Sequence, residues 1–147
     1  MEIRAVLDTN VMVAAEGAPN PQSPNREIVR RWLSGEFILL VSEDVLAEYG
    51  EKLMNRGVDP KEAAVFLAKV LLLAEEVEIR FFHLRHYPED SDDVLFLLCA
   101  LNGGASHLVS YDPYLLGLRV FYEEVLICPA LEFLQALRAE PGGPKGI

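Results

Sequence analysis

The chain has 147 residues, 51% of them hydrophobic, and its 23 acids against 13 lysines and arginines give a net charge of -10. That length predicts one domain, residues 1–138, large enough for a real core, with a flexible glycine- and proline-rich tail over 139–147. The acidic balance excludes a nucleic-acid binder that works by bulk positive charge, and no apolar run approaches the roughly 18 residues of a membrane span.

The first strand is predicted at Ile3 to Leu7, an apolar run that stops abruptly at Asp8-Thr9-Asn10. A short apolar run bounded in this way reads as a buried strand of a parallel sheet, which puts Asp8 at its carboxyl end, with Thr9 or Asn10 capping a short helix to Glu16. Gly17 to Pro24 is expected to be loop. Asn25 then opens an amphipathic helix closed by Gly35, and its Arg26, Arg30 and Arg31 form the densest basic cluster of the chain. Phe37 to Val41 is a second buried strand, and Ser42 caps a helix from Glu43 to Asn55. Asp59-Pro60 starts another helix, apolar nearly all round from Ala63 to Ala74 except at Lys69, which predicts partial burial plus a homodimer contact.

A third strand is expected over Val77 to Phe82 and loop over Pro88 to Ser91, followed by a helix from Asp92 to Leu101 stopped by Gly103-Gly104. His107 to Ser110 is a fourth strand, Asp112-Pro113 a turn, Val125 to Cys128 a fifth strand, and Pro129 begins the last helix. Strands alternating with helices predict an α/β fold, a three-layer α/β/α sandwich on a five-stranded, mainly parallel sheet. No secretory signal is visible, and Cys99 and Cys128, far apart in apolar surroundings, read as reduced buried thiols. The expected compartment is the cytoplasm.

Four acids converge on this scheme. Asp8 ends the first strand, and Asp112 follows the fourth in the same apolar, hydroxyl, carboxylate pattern. Glu48 lies on the edge of the stripe made by Val45, Leu46, Tyr49 and Leu53, whereas Glu43 and Glu51 point away from it. Asp93 is in register with Phe96, Leu97 and Ala100, so it turns inward, while Asp92 faces elsewhere and Asp90 belongs to the loop. Carboxylates gathered in this way repel one another unless cations neutralise them. Hard oxygen ligands without histidine or cysteine select Mg²⁺ or Mn²⁺, one or two ions, a site suited to hydrolysis of a phosphodiester by water. His83, His86 and His107 have no nucleophile at a useful spacing.

At these residues the chain resembles the PIN domain, the small nuclease fold of VapC-type bacterial and archaeal toxins and related ribonucleases. Leu7-Asp8-Thr9-Asn10 is similar to the family's first motif, and Ser42-Glu43 through Glu48 to its second. Asp90-Ser91-Asp92-Asp93 with Phe96-Leu97 is similar to the third, and Gly104-Ala105 through Ser110-Tyr111-Asp112 to the fourth. The resemblance spans about residues 3 to 130. It implies Asp8, Glu48, Asp93 and Asp112 as catalytic metal ligands, with Asn10 and Ser110 in support. It further implies Mg²⁺- or Mn²⁺-dependent cleavage of single-stranded RNA by a homodimer restrained by an antitoxin protein; that no membrane is involved is expected from the lack of a long apolar run. Arg26, Arg30 and Arg31 are the candidates for contacts to RNA phosphates. Tyr111 stands where the family's fourth motif commonly has glycine, and is placed either to crowd the metal edge or to stack on a base. The rival readings are a catalytically inactive interaction module that uses the apolar 63–74 surface, and a receiver-type phosphotransfer domain. The second is disfavoured because no lysine follows Lys69 until Lys145.

Overall fold

The computed structural model describes residues 2–17 and 22–139. Most of the loop expected after Gly17 and nearly all of the expected tail lie outside them. Five parallel strands, β1 (Arg4–Leu7), β2 (Ile38–Val41), β3 (Glu75–Glu76), β4 (His107–Val109) and β5 (Leu126–Cys128), are ordered β3-β2-β1-β4-β5. In β1, Ala5, Val6 and Leu7 are all fully buried, and so are Leu39 and Leu40 of β2. Consecutive burial is what helices on both faces of a parallel sheet impose. From β1 the chain steps to β2 and β3 on one side, then crosses to β4 and β5 on the other. Right-handed crossovers in opposite directions put the connecting helices on opposite faces, which makes three layers.

Those helices are α1 (Thr9–Gly17), α2 (Pro24–Leu33), α3 (Glu43–Asn55), α4 (Pro60–Leu73), α5 (Val94–Asn102), α6 (Pro113–Leu116) and α7 (Ala130–Ala139). Ser42 caps α3 as its sequence predicts, accepting the Val45 N–H at 3.2 Å. Other boundaries differ by a residue or two. Ser23, not Asn25, caps α2, because Pro24 occupies its first turn without needing a donor. The helix expected from Asp92 begins as a 3-10 turn, Ser91–Asp93, and becomes α-helical only at Val94.

The third strand is the substantive correction. Pairing stops at Glu76, opposite Val41, because the next residue of β2 is Ser42, which turns away to cap α3. Val77 adds one bond to the Val41 carbonyl, 2.7 Å, and the rest of the expected 77–82 strand has no neighbour left to pair with. β-branched and aromatic composition favours a strand only where a partner exists. Instead the Asn102 side chain stands in for one: its oxygen accepts the N–H groups of Arg80 and Phe81 at 2.8 and 3.1 Å, and its amide donates to the Phe81 carbonyl at 3.0 Å.

α4 is half enclosed, in line with its composition. Ala63, Phe66 and Val70 are buried, whereas Val65, Leu71, Leu72 and Leu73 are exposed, Leu72 to 82%. Among the described residues no helix is long and apolar enough to cross a membrane.

Candidate active site

β1 and β4 are neighbours from which the chain departs in opposite directions. In open α/β sheets the crevice outside the carboxyl ends of two such strands is where ligands bind. Asp8 follows β1 directly, and Ser110-Tyr111-Asp112 follows β4. The two loops are tied together by Ser110, whose hydroxyl donates to Asp8 Oδ2 at 2.6 Å and accepts the Asp112 N–H at 2.9 Å. Asp8 is 4% exposed. Burial raises its carboxyl pKa, an effect opposed by Ser110 and the Thr9 and Asn10 N–H groups and reinforced by the charge of Asp112. Asn10 itself is exposed in the first turn of α1, and the carbonyl of Asp8 accepts the first helical bonds from Val11 and Met12.

Asp93 arrives from the opposite wall, on the 3-10 turn before α5, and is 5% exposed. Oxygens of Asp90, Asp93 and Asp112 all lie within 4.8 Å of one another. Burial, a hydrogen bond to Asp112, and the charges of Asp112, Asp8 and Asp90 push the Asp93 carboxyl up to about 8. Its Oδ2 has no partner, and Thr9 Oγ1 beside Asp8 is likewise buried and unpartnered. Buried polar atoms left in this state mark a place for a ligand or ordered water.

Asp8 and Glu48 lie outside this tight group, Asp8 joined to it through Ser110 and Glu48 standing apart. Glu48 is half-buried on α3; burial raises its pKa, and the charges of Asp92 and Asp8 are among the smaller contributions. What carries it there is the next residue. Tyr49 is fully buried and donates its hydroxyl to the Leu7 carbonyl at 2.5 Å, pinning α3 to the end of β1 just before Asp8.

Asp90, expected in the loop, belongs to the tight cluster, and its carboxylate also accepts the Asp92 N–H at 2.9 Å. The available signal was its place three residues before Asp93, in a Pro-Glu-Asp-Ser start to a helix. Of the three arginines singled out, Arg31 is held by Glu27 and Glu36 at 2.9 and 2.5 Å, whereas Arg26 and Arg30 are exposed on α2. Tyr111 does not turn into the acid cluster: its hydroxyl donates to Asn25 Oδ1 at 2.8 Å, which joins the β4 loop to the start of α2. The thiols of Cys99 and Cys128 are buried and free, pushed up to about 11 and 12 by burial.

An oxygen-only donor set with an unpartnered buried carboxylate oxygen at its centre fits a hard divalent cation such as Mg²⁺ or Mn²⁺.

A family model described as a PIN domain matches residues 4–113. Among solved structures, PAE2754 from Pyrobaculum aerophilum is similar at a TM-score of 0.60 and 18% identity, covering 95% of this chain and 91% of that one. VapBC2 from Rickettsia felis, bound to a DNA fragment from their promoter, is similar at 0.58 and 14%, covering 85% of this chain and 97% of the other. At these identities the likeness concerns the fold. No curated protein sequence matches the chain.

Proposed function

The chain belongs to the PIN-domain family, and from that premise we propose that it is a Mg²⁺- or Mn²⁺-dependent endoribonuclease that cleaves single-stranded RNA by attack of water. The observation that supports this most directly is Asp93, a buried carboxyl with an unpartnered oxygen, packed against Asp90 and Asp112. Such a cluster is costly by itself and favourable around a cation.

Asp8, Glu48 and Asp93 are the proposed primary ligands of one or two ions, with Asp112 completing the pocket and Asp90 added from the geometry. A bound cation supplies Lewis-acid stabilisation of the phosphate and water acidic enough to attack at neutral pH. The chain's own part is to hold oxygens in place. Ser110 fixes the Asp8 carboxylate and the Asp112 backbone together, so two strand ends act as one rigid edge. Tyr49 fixes the height of α3, and with it the reach of Glu48. No side-chain nucleophile is needed. Arg26, Arg30 and Arg31 are the proposed phosphate contacts, Arg26 and Arg30 exposed on α2 and Arg31 held by Glu27 and Glu36.

The VapBC-type likeness supports a biological setting as the toxin half of a toxin–antitoxin pair, restrained by an antitoxin protein, in the cytoplasm. The exposed leucines of α4 support a homodimer through that helix. The same surface favours a second reading, a catalytically inactive interaction module.

The deciding experiment is cleavage of a mixed single-stranded RNA pool with Mg²⁺, Mn²⁺ or EDTA, beside Asp93→Asn. Metal-dependent cuts that fall at least about 100-fold in the variant are expected, since removing one group that orders charge at the reacting phosphate costs this much. Equal activity in EDTA or in the variant rejects the assignment. Absence of both cleavage and metal binding selects the interaction module.

A further inference from the structure

We infer that Tyr111 is a stacking platform for an unpaired nucleobase, the group that fixes how a single strand lies across the acidic crevice. This rests on the nuclease reading for its substrate, but it has its own readout.

Three exposed tyrosines share the short segments that carry the clustered acids. Tyr111 is bonded in sequence to Asp112, Tyr114 lies two residues beyond it, and Tyr87 lies three before Asp90; their exposures are 44%, 47% and 54%. Three residues of chain reach at most about 10 Å, so each ring's backbone is within a nucleotide's reach of a phosphate held at the acids. The Tyr87 hydroxyl accepts the Leu84 N–H at 3.3 Å within its own loop, whereas Tyr111 is bonded across to a separate element, α2. Its hydroxyl is committed to Asn25 Oδ1, which leaves the ring a pre-oriented, half-exposed face at the rim rather than a mobile side chain. A base stacking there loses little rotamer freedom on the protein's side.

Charge gives the platform its importance. The protein carries a net charge of -10. Arg4, Arg31, Arg80, Arg85, Arg119 and Arg138 are each already paired with a glutamate. Acids outnumber lysines and arginines, so beside the arginine contacts proposed on α2 a strand gains from cations at the acids and from contacts that carry no charge. Aromatic stacking is such a contact, it accepts any base, and a duplex, whose bases are already stacked, cannot use it. The platform therefore also predicts a preference for single strands.

The test is binding of a short, fluorescently labelled single-stranded oligoadenylate to the wild-type protein in Ca²⁺, which occupies hard oxygen sites. An abasic phosphodiester strand of the same length is the parallel probe. Tyr111→Ala is expected to weaken oligoadenylate binding by about tenfold, the usual scale for losing one stacked base, and to leave the abasic strand unaffected. Tyr111→Phe and Tyr111→Trp keep a ring but lose the bond to Asn25, so they should bind more weakly than the wild type and clearly more tightly than Tyr111→Ala. In Mn²⁺ cleavage assays Tyr111→Ala should raise KM and leave kcat unchanged.

Three results overturn the inference: no binding of oligoadenylate by the wild type, equal losses for the two probes, or a Phe variant as weak as the Ala variant. The last would mean that the bond to Asn25, and so local structure, is what matters. The outcome is separable from the nuclease reading. A base-dependent Tyr111 effect without metal-dependent cleavage keeps the platform and rejects the enzyme; cleavage with an indifferent Tyr111 does the reverse.

Discussion

Asp93 illustrates how a residue's burial sets the sign of a pH response. Its carboxyl is pushed up to about 8, first by desolvation and then by Asp112. An unfolded aspartate releases its proton near 4, so between about 4 and 8 the folded, metal-free protein holds a proton that the unfolded chain has lost. Stability therefore falls as pH rises through that window. The thermal midpoint of the EDTA-treated protein should drop between pH 5 and pH 8.5, and Asp93→Asn should flatten the slope and raise the midpoint at the upper end. A midpoint that rises across the same range would contradict the buried, proton-holding state. Tyr49 gives a second residue-scale prediction. Tyr49→Phe removes the hydroxyl that donates to the Leu7 carbonyl at the end of β1 and should cost about 1–3 kcal/mol in urea unfolding, the cost of a buried hydrogen bond lost.

At the scale of elements, the segment between β3 and α5 carries Asp90 to the cluster without regular structure of its own. It is held at discrete points. Asn102 clamps Arg80 and Phe81; Leu84 is buried; the Tyr122 hydroxyl bonds both the N–H and the carbonyl of His86, whose ring stacks on Phe121 at 4.3 Å. Asn102→Ala removes the clamp on the first half alone. Amide exchange should accelerate over 78–83 while the second half, anchored through Tyr122, changes little; exchange that accelerates throughout would mean the segment opens as one unit. α4 offers the complementary case of an element whose exposed side has no partner among the described residues. If it is the homodimer contact, Leu72→Glu should shift the protein to monomer in sedimentation velocity with an unchanged circular dichroism spectrum. A monomeric wild type would remove this role from the helix.

On the scale of the whole molecule, the acidic crevice couples function to stability. Acids on separate segments, after β4 and at the entry to α5, come within reach of one cation only when the sheet is formed. A cation that binds only the folded state at one hundred times its Kd adds about 2.7 kcal/mol. For a chain of this size that corresponds to a rise of about 5–10 °C in the thermal midpoint. Mn²⁺ should produce such a rise in the wild type and a smaller one in Asp93→Asn, whereas an equal shift in both would locate the ion elsewhere.

The sequence by itself determined the parallel α/β sheet and the helix stripes, because continuous apolar runs such as Ala5-Val6-Leu7 and the spacing of Val45, Tyr49 and Leu53 leave few other ways to bury those side chains. It also put Asp8 and Asp112 after strands and turned Asp93 inward, since these are local facts of period and register. Only the tertiary structure decided which acids meet. Asp90, at the cap of the 3-10 turn, joins Asp93 and Asp112, whereas Asp8 and Glu48 lie outside that tight group. The third strand ended at Glu76 for the same reason: pairing depends on where the neighbouring strand stops, and no property of residues 77–82 encodes where β2 yields to the cap of α3.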